Sequence, residues 1–363
     1  MENLDFTVKR LGTAKFDSSL SDTIFECENS RIVYQKDPNS LLKEYIEKEN
    51  VVSMEKAGPR KKLFHNPFTT TAAILTAGGL CPGINDVIKG IVNTLINTYG
   101  VQKVYGIKYG YRGLVPDYGL LPEILSVDSV DGIHTEGGTI LGSSRGPQDI
   151  GTIVDTLVGM NINILFCIGG DGTLKCAHKI AEEISKRRLP IGIIGIPKTI
   201  DNDIAFVDRT FGFETAIYRT DPIITAAHNE AKGAYNGVGL IHVMGRDSGF
   251  IAVYATLANT NVNYCLIPEI KFALEGKNGF LSHLLKRLSK RQHAVIIVSE
   301  GAGQHLFESE PEKHDKSGNI IHNNIGIYLK DKIISYAKAN NFELNMKYFD
   351  PSYLIRSCDA QGT

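Results

Sequence analysis

No run in this 363-residue chain reaches the roughly eighteen consecutive apolar residues of a membrane-spanning helix. The opening stretch MENLDFTVKRLGTAKF also lacks the apolar segment of a secretory signal. Cysteine is sparse and scattered: Cys27, Cys81, Cys167, Cys176, Cys265 and Cys358 form no CxxC pair and read as reduced thiols. Charge of one sign is missing as well. With 39 Lys+Arg against 40 Asp+Glu, the formal net charge of -1 gives no general pull on nucleic acid or an anionic membrane. Neither an internal repeat nor a low-complexity tract occurs. These absences lead us to expect a soluble globular protein of a reducing, cytoplasmic compartment, with no nucleic-acid and no membrane partner.

What is present suits a packed core. A hydrophobic content of 42% over this length can build one large or two ordinary domains. Residues 1–68 are mixed and polar, end in the basic KAGPRKKLFHNP, and show no clear apolar period, so they read as an N-terminal extension or arm. From Thr71 short apolar runs begin, each closed by a glycine or polar turn and followed by a helix-like pattern. TAAILTAGGL, NINILFCIGGDGT, PIGIIGIPKT, VGLIHVMGR, NYCLIPE and HAVIIVSEGAG are of this kind. Such runs suit strands covered on both faces, and their alternation with helices predicts a mainly parallel α/β sheet. Ligands then sit at the carboxyl ends of the strands, where the polar turns converge. EPEKHDKSGN, residues 310–319, reads as an exposed excursion.

Several of those turns carry chemistry. In CIGGDGTLKCA the backbone amides around Gly169, Gly170 and Gly172 can cradle phosphate at a helix N-terminus, and Asp171 can hold Mg²⁺. The alternative is a tight turn in which Asp171 or Thr173 only caps the helix. GGDGT is similar to the turn of NAD kinases and diacylglycerol-type lipid kinases, so alone it indicates nucleotide phosphates and no more. TAGGLCPGIN offers a second glycine-rich turn at Gly78 and Gly79, or else a bare structural turn. Neither has the GxxxxGK[ST] spacing. GGTILGSSRGPQD delivers Arg145, either to phosphate oxygens or merely to the surface. VMGRDSGF offers Arg246, with Asp247 and Ser248 able to cap the following helix. In GIPKTIDND, Pro197 breaks the pairing and leaves Lys198, Thr199, Asp201 and Asp203 in a strand-end loop. A carboxylate there can take a proton from a hydroxyl that attacks phosphorus, or it can serve Asx-turn chemistry.

Together and in this order, GGLCPGIND, GGTILGSSRGPQD, GGDGT, PKTIDND, RTFGFETA, GVGLIHVMGRDSGFIA, IPE, IIVSEGAGQ and DPSYLIRS resemble the phosphofructokinase family. The likeness runs from about Thr71 to the last residue and is greatest to the ATP-dependent branch of plants and trypanosomes. It implies two Rossmann-like three-layer α/β domains with mainly parallel sheets: residues 69–212 for ATP and 213–363 for the sugar phosphate, with the chain crossing back between them. It further implies that Asp201 deprotonates the 1-hydroxyl of fructose 6-phosphate, which attacks the terminal phosphorus of ATP in a glycolytic reaction. Asp171 would bind Mg²⁺, with Gly78, Arg145, Gly146, Gly170, Gly172 and Thr173 around the nucleotide phosphates. Thr199, Ile200, Met244, Gly245, Arg246, Glu300, Tyr353 and Arg356 would contact the sugar phosphate.

The resemblance also frames the choice of donor. Pyrophosphate-dependent members carry a second Asp where this chain has Gly172, and that side chain would obstruct the nucleotide α-phosphate; Gly172 therefore favours ATP. Lys198 matches the pyrophosphate type, yet the plant and trypanosome branch combines this Gly with this Lys. Two departures stand out. Gly237 replaces the Arg that bacterial members place seven residues before the Met of MGR. Family members also continue beyond YLIRS, so a C-terminally shortened chain is expected. The resemblance implies a homo-oligomer, a tetramer at full length. Two alternatives remain: a pyrophosphate-dependent phosphotransferase, and a non-catalytic sugar-phosphate-binding or regulatory subunit.

Overall fold

The computed structural model describes residues 6–21, 23–34, 37–48, 51–307, 313–314 and 320–361. TAAILTA forms the strand β1 (Thr71–Ala77) because its side chains find apolar partners on both faces. Ala72 and Ile74 enter one hydrophobic cluster, while Ala73, Leu75 and Ala77 enter another. Around it stand β2 (Lys103–Ile107), β3 (Glu123–Leu125), β4 (Ile164–Gly169) and β5 (Gly192–Pro197), in the order β3-β2-β1-β4-β5. Only the edge strand β3 runs antiparallel to its neighbour.

A second sheet is parallel throughout. It consists of β6 (Gly237–Val243), β7 (Tyr264–Leu266), β8 (His293–Ser299) and β9 (Asn345–Phe349), ordered β7-β8-β6-β9. The helices are α1 (Ile84–Asn93), α2 (Ile150–Gly159), α3 (Asp171–Lys186), α4 (Phe213–Gly233), α5 (Phe250–Ala258), α6 (Phe280–Arg291), α7 (Ile325–Ala339) and α8 (Ser352–Arg356).

The core is layered. α2 and α3 cover the outer face of the first sheet with Ile153, Leu157, Ile180 and Ile184. α6 and α7 do the same for the second sheet with Leu284, Leu288, Leu329 and Ile333. Between the sheets one continuous cluster joins Ile74 and Ile168 of the first to Ile241 and Ile297 of the second, through α1, α4 and α5. Truncating a buried Ile or Leu in such a layer to Ala costs about 2–5 kcal/mol. This shared layer makes the carboxyl ends of both sheets open on one cleft.

The arm is more structured than its missing apolar period suggests. Phe16–Asp17 pairs antiparallel with Lys62–Leu63, and Arg31–Val33 pairs with Ser53–Glu55. A helix over Pro38–Lys48 leaves Leu42, Tyr45 and Ile46 exposed. Within the excursion at 310–319, Lys313–His314 pairs with Ile320–Ile321, and the rest lies outside the described residues.

Gly237, the departure from the bacterial pattern, sits at the buried start of β6. A Cβ there would lie 2.0 Å from the carbonyl oxygen of Ala231 on α4, so no side chain fits without moving that helix. Gly237→Ala should therefore lower stability by about 1–3 kcal/mol, read as a lower urea midpoint at unchanged slope. Gly233→Ala, whose Cβ meets nothing within 4 Å, should leave the midpoint unchanged or higher.

Candidate active site

The strand ends enclose a cleft of about 960 Å³. Every site residue implied by the family resemblance lines it except Gly245; Gly169 and Asp203, named from the turns alone, do not. On the first sheet, β4 ends in Gly169 and passes through Gly170 straight into α3. No side chain caps that helix, so the capping alternative for Asp171 and Thr173 is not realised. The Asp171 carboxylate instead pairs with Lys175 one turn on, at 2.7 Å. Thr173 is buried, and its carbonyl accepts a hydrogen bond from Tyr111 Oη at 2.9 Å. Gly170, Asp171, Gly172 and Thr173 thus bring a helix N-terminus to the cleft, where its amides and dipole favour an anion.

The β1 turn is pinned to the loop that carries the arginine. Gly78 N–H donates to Ser144 O at 3.1 Å, and Ser143 Oγ donates to Gly78 O at 2.6 Å. Gly78 holds φ 87°, which a glycine adopts freely. These bonds place Arg145 and Gly146 on the same wall as the α3 start.

The segment KTIDND reconciles both readings of its acids. β5 stays paired through Pro197, and Lys198 N–H continues the ladder to Gly169 O at 2.9 Å. Lys198 is 5% exposed and its Nζ donates to Gly79 O. Burial lowers its pKa; Arg145 and Arg356 push the same way, while Cys81 and Asp201 oppose them. The turn chemistry falls on the neighbours of Asp201. Thr199 Oγ1 donates to Asp203 Oδ1 at 2.9 Å and accepts from Asp201 N–H at 3.1 Å. Asn202 Oδ1 accepts from Thr210 N–H at 2.8 Å.

Asp201 itself is spared that work. Its Oδ1 is buried and meets no hydrogen-bond partner among the described residues. Burial pushes the carboxyl up to about 7; Asp203 and Glu300 add to this, and Arg246 and Lys198 offset part of it. A carboxyl so placed exchanges a proton near neutral pH.

On the second sheet, the MGR turn bends sharply. Gly245 lies beneath the lining at φ 143°, where a Cβ would come 2.4 Å from Ser248 O. Arg246 follows at φ 47°, a left-handed conformation uncommon for a residue with a side chain. The capping expected of Asp247 and Ser248 is not found. Gly249 is the N-cap of α5, and its N–H goes to Glu269 Oε1 at 2.8 Å, the acid of the IPE motif. The bend turns Ser248 back instead, so that its Oγ donates to Asp201 O and to Gly245 O, each at 3.0 Å. Asp247 lies 2.9 Å from His322 Nε2.

Glu300 N–H donates to Val243 O at 2.9 Å, which carries its side chain past the end of β8 to the cleft beside Met244 and Arg246. Ile200 closes the seam between the sheets from the buried side. Tyr353 is 74% exposed, and the Arg356 guanidinium stacks over its ring at 4.6 Å. Among the further polar residues at the cleft are His242 and Asp350, for which the sequence reading assigns no role. A lone histidine inside an apolar strand, two residues before Met244 and therefore on its face, is the signal that marks them.

The chemistry at Asp171 fits a divalent metal. Asp171 offers a lone, largely exposed carboxylate at the anion-attracting helix start, and Mg²⁺ takes one or two carboxylates with water and phosphate oxygens. Among the described residues no group of three or more His, Cys, Asp or Glu forms a closed metal site.

Comparison with known proteins gives the following. The phosphofructokinase family model matches residues 71–359. An ATP-dependent 6-phosphofructokinase of Borreliella burgdorferi is 50% identical over 374 residues, covering 100% of this chain and 83% of that protein. One of Entamoeba histolytica is 47% identical, covering 85% of this chain and 70% of that protein. ATP-dependent 6-phosphofructokinase 2 of Arabidopsis thaliana is 44% identical over 86% of this chain and 71% of its own length. Among solved structures, phosphofructokinase from Saccharomyces cerevisiae superimposes with TM-score 0.62 at 25% identity, over 80% of this chain and 39% of that one. A pyrophosphate-dependent phosphofructokinase from Marinobacter aquaeolei, at TM-score 0.61 and 22% identity, shares the fold over 79% of this chain and 69% of its own.

The raised carboxyl has a consequence for stability. The folded pKa of Asp201 lies above its ordinary value of 3.8, so between 3.8 and about 7 the folded state holds a proton that the unfolded state releases. Its contribution therefore falls as pH climbs through that window. Asp201→Asn should raise the thermal midpoint relative to wild type more at about pH 8 than at about pH 5. An equal effect at the two pH values would contradict the raised pKa.

Proposed function

The chain belongs to the phosphofructokinase family, and from that premise we propose that it is an ATP-dependent 6-phosphofructokinase. It transfers the γ-phosphoryl group of ATP to the 1-hydroxyl of fructose 6-phosphate, giving ADP and fructose 1,6-bisphosphate. The observation that carries this reading is the Asp201 carboxylate, whose buried Oδ1 has no hydrogen-bond partner among the described residues, in a cleft shared by a glycine-rich helix start and by Arg246 and Lys198.

Each residue then has a task that its position supports. Asp201 takes the proton of the 1-hydroxyl as the new oxygen–phosphorus bond forms and the bond to the β,γ-bridging oxygen of ATP breaks. Gly78, Arg145, Gly146, Gly170, Gly172 and Thr173 hold the nucleotide phosphates at the start of α3. Asp171 would hold Mg²⁺, which when bound offsets charge on the phosphate oxygens. Arg246 and Lys198 oppose the negative charge that grows at the transferring group and at its leaving oxygen. Thr199, Ile200, Met244, Gly245 and Glu300 shape the sugar side, and Arg356 on α8, backed by Tyr353, takes the 6-phosphate.

The printed names of the similar Borreliella, Entamoeba and Arabidopsis proteins support ATP as donor. Gly172 supports it sterically, and the buried tether of Lys198 to Gly79 is compatible with either leaving phosphate. The proposal includes a cytoplasmic location, which a glycolytic role supports. Separately, no described helix is long and apolar enough to cross a membrane. A homo-oligomer is part of the proposal, and the exposed stripe Phe250, Tyr254 and Leu257 along α5 offers an apolar face for self-association.

A coupled assay for fructose 1,6-bisphosphate, with Mg²⁺ and either ATP or pyrophosphate, tests the assignment. ATP alone should support turnover, with kcat/KM rising with pH through a midpoint near 7 set by Asp201. Asp201→Asn should cut kcat by about 10²–10⁴-fold while fructose 6-phosphate still binds. Gly172→Asp should weaken ATP use. Turnover by Asp201→Asn close to wild type would remove Asp201 as the base, and activity with pyrophosphate alone would overturn the donor.

A further inference from the structure

The sugar side of the cleft rests on polar groups to which the reaction as described gives no task. β6 reads GVGLIHV, and His242 is the only polar side chain in a strand buried along its whole length. The imidazole is closely held. Its Nδ1 lies 3.4 Å from Asp350 Oδ2, while Nε2 is buried without a hydrogen-bond partner among the described residues. From the other side α7 approaches through Gly326, where a Cβ would come 2.9 Å from His242 Cγ and 2.7 Å from Tyr348 Oη. Only a residue without a side chain lets the helix start press on both rings.

Asp350 faces two ways. While Oδ2 meets the imidazole, Oδ1 accepts from Ser352 N–H at 3.2 Å and from Ser352 Oγ, which fixes the first turn of α8. Burial raises the Asp350 carboxyl, but the Ser352 bonds and the neighbouring His242 outweigh it, and its pKa lies below the ordinary value. It is therefore held as an anion between the two partners. α8 is five residues long, with Tyr353 and Leu354 exposed and Ile355 as its one buried apolar anchor. A single-turn helix has too few internal bonds to hold its own direction, so the Asp350 bonds at its first residue and its anchor decide where it points.

We propose that His242 is a positioning residue for the sugar-phosphate grip: through Nδ1 and Asp350 it sets the direction of α8, and with it the reach of Arg356 and Tyr353 into the cleft. The inference rests on the reading of this side of the cleft as the fructose 6-phosphate site. His242 acts through Asp350 and takes no part in the proton transfer. Its loss should weaken the grip on the sugar phosphate and leave the nucleotide wall, built on the other sheet, as it was.

Side-chain amides separate the two ring nitrogens. His242→Asn places an amide near the position of Nδ1, and His242→Gln places one near Nε2. Binding of fructose 6-phosphate by isothermal titration, KM for each substrate, kcat and the thermal midpoint are compared for wild type, His242→Ala, His242→Asn and His242→Gln. Weakening one charge-assisted hydrogen bond costs about tenfold in affinity. His242→Ala should therefore raise Kd and KM for fructose 6-phosphate about tenfold, with KM for ATP within about twofold. His242→Asn should recover most of that loss and His242→Gln should not. Ser352→Ala, which removes the hydroxyl bond to Asp350 while leaving the imidazole in place, should shift KM for the sugar phosphate in the same direction. Recovery by Gln but not Asn would move the role to Nε2 and overturn the proposal. Unchanged fructose 6-phosphate binding in both His242→Ala and Ser352→Ala would overturn it too. Should His242→Ala fail to fold, the Asn and Gln variants decide alone. A wild type that binds no fructose 6-phosphate would overturn the functional reading itself, whereas wild-type binding with no change in the variants overturns only this inference.

Discussion

One carboxylate, its Oδ1 buried with no hydrogen-bond partner among the described residues, governs this site. Taking Asp201 out of water with no hydrogen bond to its Oδ1 disfavours the anion, and the nearby acids Asp203 and Glu300 disfavour it further. Left alone, such a group would simply stay protonated and inert. Arg246 and Lys198 restore part of the balance, so its affinity for a proton comes to rest near neutrality. The surrounding structure serves to keep that balance. Thr199, Asn202 and Asp203 use their side chains to hold the turn, which leaves the Asp201 carboxylate uncommitted. Ser248 reaches from the second sheet to the Asp201 carbonyl and locks the loop against the MGR turn.

The layered fold supplies the rigidity this needs. Because one apolar cluster runs from the first sheet through α1, α4 and α5 to the second, the two sets of strand ends cannot drift apart without opening the core. Short polar links then register the loops. Ser143 and Ser144 tie the Arg145 loop to Gly78, and Lys198 ties the acid loop to Gly79. The C-terminal residues close the seam again, with Arg219 of α4 on Asp359 at 2.6 Å and Gln361 N–H on Thr215 Oγ1 at 3.1 Å. A phosphoryl donor at the start of α3 and an acceptor beside Arg246 are thereby presented to the same carboxylate.

Much of this is legible in the sequence because the signals are local. Apolar runs closed by glycine and followed by a helical period mark β1, β4, β5, β6 and β8; the polar turns after them name Gly78, Gly170, Asp171, Gly172, Thr173, Lys198, Asp201 and Arg246, and the family resemblance adds Met244, Glu300, Tyr353 and Arg356. What escapes the sequence depends on distance. His242 reads as one polar residue in a strand, and its partner Asp350 stands 108 residues away. Ser248 has the look of a helix cap, but the left-handed turn at Arg246 sends its hydroxyl to Asp201 instead. The arm helix Pro38–Lys48 has its apolar residues Leu41, Leu42, Tyr45 and Ile46 at helical spacing, but this single short stretch does not stand out in an otherwise polar segment. That one apolar layer serves both sheets is likewise a property of packing, which periodicity within single segments does not express.

The central claim is that Asp201 is a carboxyl poised to exchange its proton at neutral pH. Infrared difference spectra of the unliganded protein, with Asp201→Asn as reference, follow the protonated carboxyl band of this one residue as pH is raised. The account predicts that the band persists well above the ordinary carboxylate range, at about 4, and disappears with a midpoint near 7. Loss of the band with a midpoint near 4 would contradict it, because an ordinary carboxylate would leave the burial and charge arrangement around Asp201 without the effect on which the mechanism depends.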